Sequence, residues 1–307
     1  MKFIHVPVLL HECMNYLITD KSGIYVDCTL GTGGHFSQIA METHSNAVLI
    51  GFDADPKAIQ YCQDTHKIIQ KHLYINQNFE NIRKYCFRNG YIKVDGILMD
   101  LGMSSFALED NDRGLAFRHN GPLDMRFSPD IVQSAADFVN NADINEIRRV
   151  LWEYGEEKAS AKIAREIEKI RSQKPIKTTE DLANIVKKFN PERFHNKALS
   201  RVFQALRIHI NRELEVLQIA LEQTTMMLKP AGRLAIISYH SLEDRIIKNF
   251  IKDKTTDCIC PPELPICACS HKAVMKNLTR KPVLPSDEEI KTNNRSRSAK
   301  LRVVEML

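Results

Sequence analysis

Residues 23–102 alternate between short apolar runs and amphipathic stretches, and few folds accept that pattern. GIYVDCTL reads as a strand, HFSQIAMETH as a helix and NAVLIGFDAD as a second strand. PKAIQYCQDTHKIIQKH follows as a helix with proline at its first position, where the missing N–H costs nothing. LYINQNF, FENIRKYCFRNG and VDGILMDLG continue as strand, helix and strand. Apolar strands regularly separated by helices predict a parallel sheet covered on both faces, an α/β fold of the Rossmann-like kind.

The alternation stops after Gly102. Residues 106–141 are rich in turn formers and charges, and no strand is expected before Arg233. In ADINEIRRVLWEYGEEKASAKIAREIEKIRSQ, apolar side chains such as Ile147, Leu151, Ile163, Ile167 and Ile170 recur at helical spacing until Pro175. TTEDLANIVKKF opens a further helix with threonines and acids, and a long helical stretch covers residues 197–228. Pro230 and Gly232 are expected to end that stretch. LKPAGRLAIISYHS then resumes the first pattern, LEDRIIKNFIKD reads as a helix, and AKLRVVEML as a last strand. The expected organisation is a sheet domain in two parts, residues 1–107 and 213–307, interrupted by an all-helical insertion over residues 108–212 that suits substrate recognition.

No run approaches the ~20 apolar residues of a membrane-spanning helix, and FIHVPVLLHEC is broken by His5, Pro7, His11 and Glu12, unlike a secretory core. A cytoplasmic chain without a membrane partner is expected. Cys13, Cys28, Cys62 and Cys86 then read as reduced thiols. Cys258, Cys260, Cys267 and Cys269 lie together in CICPPELPICAC. Their C-x-C pairs, tighter than the usual C-x-x-C, favour reduced thiols in a proline-rich loop, so no metal is expected; tetrahedral zinc is the alternative. The chain carries a net charge of +5. Its last 37 residues hold nine Lys or Arg against four acids, an excess as large as that of the whole chain. A basic end of this kind suits an anionic partner.

Between the first strand and first helix lies DCTLGTGGHF, with glycine at 31, 33 and 34. So many glycines mean a tight bend or a close approach. The loop is no P-loop, because it lacks the required lysine, and it departs from the dinucleotide fingerprint by placing Phe36 where that pattern has glycine. Asp53 ends the second strand about 20 residues on, where an acid accepts a ribose diol. Phe79 follows the third strand and can lie against adenine. Asp100 ends the fourth, near the reacting end of a bound nucleotide. Glycine loop, acid, aromatic and acid at four successive strand ends describe a site for an adenosine-bearing cofactor. Turn glycines, a solvated acid and a core aromatic are the bland reading of each alone.

Seven motifs then occur in one order: HVPVLLHE, DCTLGTGGH, GILMDLGMSS, RGLAFRHNGPLDMRF, FQALRIHINREL, SYHSLEDR and NRSRSAKLR. Across nearly the whole chain they resemble the bacterial ribosomal RNA small-subunit methyltransferase H family (RsmH, formerly MraW). The resemblance implies a class I S-adenosylmethionine-dependent methyltransferase with a helical insertion. The implied reaction methylates the exocyclic N4 of a cytidine in the decoding centre (P-site region) of 16S ribosomal RNA, within the small ribosomal subunit. Gly33, Gly34, His35, Asp53, Phe79 and Asp100 match the family's methyl-donor contacts. Two departures stand out: Ala107 where relatives commonly have Gln, and NKALS where many have a His-Pro-Ala-Thr run.

Cytosine N4 is a weak nucleophile, so a group that accepts its hydrogens would polarise it. Asp100 is the expected catalytic residue, with Ser104 and Ser105 secondary; turn capping is the plainer role for the serines. His240, Glu243, Asp244 and Arg245 suit either substrate positioning or an ordinary helix start led by Ser241. Arg295, Arg297, Lys300 and Arg302 are candidate RNA-phosphate contacts, with Arg201, Arg207 and Arg212 of the long helix as a second basic surface. The alternatives are an amino-methyltransferase acting on DNA, a non-catalytic ribosome-assembly factor that binds S-adenosylmethionine, and, more remotely, a dehydrogenase. The sequence leaves the oligomeric state open, a homodimer included.

Overall fold

The computed structural model describes residues 6–103, 110–258, 260 and 269–307. Ser104, Ser105, Ala107 and Cys267 lie outside the described residues. The chain forms two compact units, residues 1–102 with 216–307, and residues 103–215.

The first unit is built on a seven-stranded sheet. Strands β1 (Ile24–Asp27), β2 (Val48–Asp53), β3 (Lys71–Asn76) and β4 (Val94–Asp100) alternate with helices α2 (Gly34–Glu42), α3 (Pro56–Thr65) and α4 (Ile82–Arg88), after a first helix α1 (Leu10–Leu17). Neighbours run in the order β3-β2-β1-β4-β5-β7-β6. Here β5 is Leu228–Ser238, β6 Met275–Asn277 and β7 Lys300–Met306. The chain lays strands outward from β1 on one side and returns to its other side with β4. In open α/β sheets ligands bind at such a reversal, beyond the carboxyl ends of the strands, and here it falls between β1 and β4. Strands β1 to β5 are parallel and β7 inserts antiparallel beside β5.

Successive side chains of a strand point to opposite faces, and the core follows that rule. Val26, Ile50, Phe52, Ile97, Met99 and Ile236 pack on one face. Tyr25, Leu49, Leu98, Ala235 and Ile237 pack on the other. Phe36, Ile39, Ile59 and Cys62 from α2 and α3 cover the second face, and Ile82 and Cys86 of α4 the first. The α/β expectation is therefore met. Cys13, Cys28, Cys62 and Cys86 are all buried.

Several local readings need correction. Helix α1 was not foreseen, although Leu10, Cys13, Met14 and Leu17 have helical spacing; the last three are buried. Helix α3 stops at Thr65, not near residue 72. His66 instead bonds outward, donating from Nε2 to the Thr32 carbonyl at 2.7 Å and accepting at Nδ1 from Ser37 Oγ at 2.7 Å. The expected end at Pro230 and Gly232 comes earlier, because β5 already begins at Leu228. Ala231 takes a left-handed φ of 61° where the pairing of β4 with β5 shifts register. Strand β6 was also unforeseen.

The second unit is helical: α5 (Ala135–Asn141), α6 (Ile144–Glu153), α7 (Ser160–Arg171), α8 (Thr179–Lys188) and α9 (His195–Asn211). Its core includes Phe138, Ile147, Leu151, Ile163, Leu182, Val202 and Leu206. The stretch read as one helix from residue 142 breaks at Glu156, whose φ is 50°. The neighbouring Glu157 is 1% exposed and accepts from Arg201 Nε at 2.9 Å. The long helix likewise divides at Arg212, φ 51°, into α9 and α10 (Glu213–Met227). Helix α11 (Ser241–Lys254) and α12 (Asp287–Thr292) complete the chain. No helix among the described residues is long and apolar enough to cross a membrane.

Candidate active site

The glycine loop is shaped by protein contacts on several sides. Gly31 and Gly33 have φ of 51° and 75°, a region that costs other residues roughly 1–2 kcal/mol. Gly33 N–H closes a turn onto the Leu30 carbonyl at 2.7 Å, and Leu30 N–H reaches the Phe52 carbonyl at 2.9 Å. Space is as restrictive as conformation. A Cβ on Gly33 would lie 2.7 Å from His66 Nε2, and one on Gly34 2.4 Å from Pro7 Cγ. These two glycines therefore admit neighbouring side chains.

Asp53 ties that loop to β2. Its Oδ2 accepts from Gly31 N–H at 2.7 Å and its Oδ1 from Asp55 N–H at 2.9 Å. Phe79 opens a short 3₁₀ turn that Asn78 caps, with Asn78 Oδ1 accepting from Glu80 N–H at 3.0 Å. The Phe79 ring is half-buried against the sheet core. At the end of β4, Asp100 N–H donates to Thr29 Oγ1 at 2.7 Å, and Asp100 Oδ1 accepts from Tyr239 Oη at 2.7 Å. Burial raises the Asp100 carboxyl to about 7, against the Tyr239 hydrogen bond that lowers it and with Glu243 adding to the rise.

Two buried neighbours define the charge of this edge. Asp27 ends β1 with 1% exposure, and its Oδ1 accepts from Thr29 N–H at 3.0 Å. Burial raises it to about 6; any charge on His35 and the Thr29 amide pull it down, and Asp100 and Asp53 push it up. His35 donates from Nε2 to the Val8 carbonyl at 3.0 Å, and its Nδ1 faces Asp100 Oδ2 at 3.7 Å. Burial lowers its pKa below the usual value, against the pull of Asp27. A neutral imidazole at His35 leaves Asp27 and Asp100 with no cationic side chain paired to them among the described residues. Sequence reading missed Asp27 and Tyr239. An acid closing an apolar run was visible for Asp27, but nothing local links Tyr239 to Asp100.

Of the sequence-predicted residues, Gly33, Gly34, His35, Asp53, Phe79 and Asp100 all lie at the carboxyl ends of the adjacent strands β3, β2, β1 and β4. The basic residues divide. Arg295 and Arg297 are exposed in a 3₁₀ turn. Arg302, 9% exposed, instead donates from Nε to Asp244 Oδ1 at 2.8 Å, and Lys300 Nζ lies 3.4 Å from the other oxygen. Burial would raise Asp244, but Arg302 and Lys300 override it and hold the carboxyl below its usual range. Asp244 is thus an internal anchor. His240, not Ser241, caps α11, in a reciprocal arrangement with Glu243. Arg201, Arg207 and Arg212 pair with Glu157, Glu213 and Glu215, which leaves little of the second basic surface.

The buried acids give a signed pH dependence. Folded Asp27 keeps its proton up to about 6, whereas the unfolded chain loses it near 3.9. Its contribution to stability is therefore present below about 4 and declines as pH rises through about 6. His35 has the opposite slope, because the folded chain refuses a proton that the unfolded chain accepts below ~6.5. Asp27→Asn keeps an acceptor for Thr29 and removes the charge. Urea denaturation across pH should show the variant gaining on the parent between pH 4 and 6, then holding a constant difference. A difference independent of pH would contradict this account of Asp27.

The profile of the MraW methylase family matches residues 2–307. A ribosomal RNA small subunit methyltransferase H of Fusobacterium nucleatum subsp. nucleatum is 43% identical over 304 residues, 99% of this chain and 97% of that one. Its namesake in Clostridioides difficile is 42% identical over 311 residues, with both chains covered in full. A third, from Dehalococcoides mccartyi, is 44% identical over 306 residues, 99% of this chain and 86% of the relative. The chain belongs to the MraW methylase family.

Proposed function

We propose that this protein transfers a methyl group from S-adenosylmethionine to the exocyclic N4 of a cytidine in the decoding centre of small-subunit 16S ribosomal RNA. The observation that carries the choice of cofactor is the acidic edge formed by Asp27, Asp53 and Asp100. A pyrophosphate would add negative charge to it, whereas a sulfonium and an ammonium relieve it. Membership of a methylase family and the rRNA-methyltransferase names of its relatives support the same reading.

S-adenosylmethionine brings a methyl already activated on sulfur. The chain's part is binding, placement and polarisation. Gly33, Gly34 and His35 present loop backbone at the N-terminus of α2. Asp53 ends β2, and its carboxylate suits a vicinal diol. Phe79 offers a ring edge to a purine. Asp100 accepts the hydrogens of the cytosine amine, which localises the nitrogen lone pair and takes up developing positive charge. Tyr239 holds one Asp100 oxygen and keeps the carboxyl from rising further. Exposed Arg295 and Arg297 face RNA phosphates, while Lys300 and Arg302 support the strand through Asp244. A deep pocket cannot reach an amine inside a paired stack, so the base must leave it.

Small ribosomal subunits lacking the modification, incubated with isotope-labelled donor, should yield label in N4-methylcytidine by nucleoside mass spectrometry. Donor binding without transfer to subunits, assembly intermediates, free RNA or DNA would favour the non-catalytic assembly factor. Asp100→Asn, assayed at saturating donor because the same carboxylate belongs to the acidic edge, should reduce turnover by about 10²-fold; unchanged turnover would remove the carboxylate's role. In the parent enzyme, kcat/KM should rise with pH and reach half its plateau near 7, the value held by free Asp100. Tyr239→Phe should move that limb to higher pH. Replacing Arg295 and Arg297 with Ala should flatten the dependence of log affinity on log salt by about 2; an unchanged slope would place the phosphate contacts elsewhere.

A further inference from the structure

The segment between α11 and β6 brings three cysteines together, and the methyl-transfer reading makes no use of them. The Sγ atoms of Cys258, Cys260 and Cys269 all lie within 4.8 Å of one another. Those of Cys258 and Cys269 are 3.7 Å apart. A disulfide would hold its sulfurs at about 2.05 Å. Two thiolates each about 2.3 Å from a tetrahedral zinc ion stand roughly 3.8 Å apart. The observed spacing is that of ligands around a common centre. From the sequence, the C-x-C pairs had looked too tight for this arrangement. In the structure the Sγ atoms of that C-x-C pair, Cys258 and Cys260, lie within 4.8 Å of each other and of Cys269 Sγ, close enough to share one ion.

We propose that Cys258, Cys260 and Cys269 bind a zinc ion. Three soft thiolates disfavour calcium and magnesium, which take oxygen ligands. Cys258 is exposed and the other two are half-buried, so an ion can enter from solvent. The stem beneath them is already tied. His271 Nε2 donates to the Asp253 carbonyl at 2.8 Å, Val274 N–H to the Lys254 carbonyl at 2.9 Å, and Ala273 N–H to Asp257 Oδ1 at 3.3 Å. Ordering the ligands therefore costs less than in an untethered loop. Cys267 lies outside the described residues and takes no part in the argument.

The site is structural. It follows α11 and precedes β6, which occupies the end of the sheet opposite β3, beyond β5 and β7. An ion there clips the outgoing and returning chain just before β6 pairs with β7.

The test uses the full chain without a histidine tag, purified under reducing conditions without added metal. Elemental analysis should find about one zinc per chain, as a single tetrahedral site holds. The double variant Cys258→Ser, Cys269→Ser should lose it while keeping its circular dichroism, because neither residue belongs to the core. Independently of any variant, cobalt added to the stripped parent protein should give thiolate-to-metal charge-transfer absorption, and zinc should displace it. The proposal is overturned if the parent protein holds no zinc even after incubation with the ion, if the double variant retains it, or if iron or copper takes its place in equal amount. Metal content is read without methyl transfer, so this result stands apart from the proposed activity.

Discussion

Two carboxylates buried at one end of a sheet, Asp27 and Asp100, with only a neutral imidazole facing them among the described residues, set the terms for the rest of this site. Asp27 and Asp100 end the neighbouring strands β1 and β4, and burial raises both well above the ordinary aspartate range. Asp53 ends β2 beside them. His35 is close enough to help, but burial keeps its imidazole neutral. The remaining compensation is hydrogen bonding: Thr29 N–H to Asp27 and Tyr239 O–H to Asp100. Neutral donors soften a desolvated charge without cancelling it. A cationic ligand at that edge therefore gains more than it would in water, because the surrounding dielectric is low.

The same economy explains the glycine loop. Its sequence suggests backbone laid bare for a ligand, but the tightest approaches to Gly33 and Gly34 come from His66, Cys62 and Pro7. His66 fixes the Thr32 carbonyl, and Asp53 fixes the Gly31 amide. The loop is thus set before any ligand arrives, which spares binding the cost of ordering it. Asp53 holds the loop at the strand end where the ribose is proposed to sit, so its structural role and its proposed binding role are linked. A substitution there would disturb loop and ligand together.

Much of this was legible. Buried parallel strands are short apolar runs whatever surrounds them, and their ends could be read off to within a few residues. That was enough to align Gly33, Asp53, Phe79 and Asp100 along one edge. Three kinds of feature escaped. Left-handed residues such as Glu156, Arg212 and Ala231 break helices or shift a strand register without the glycine that usually announces them. Pairings across long sequence separations, Tyr239 with Asp100 and Arg302 with Asp244, have no local signature. Burial decides whether an arginine is a surface charge or an internal anchor. Arg302 alternates inward along β7, a consequence of register that composition does not carry.

Charge placement also bears on what an RNA substrate would meet. In the sequence the excess of basic residues near the C-terminus reads as a continuous phosphate-binding arm, yet β7 turns Arg302, with Lys300 beside it, toward Asp244. The exposed arginines of the four are those of the 3₁₀ turn before the strand, Arg295 and Arg297. The cofactor edge is acidic and repels phosphates. For an RNA substrate these two facts divide the labour: the backbone is attracted to the basic turn and excluded from the pocket. Only a neutral base can then approach Asp100 without an electrostatic penalty, so the acidic edge itself selects for a nucleotide whose base has been drawn away from its own phosphates.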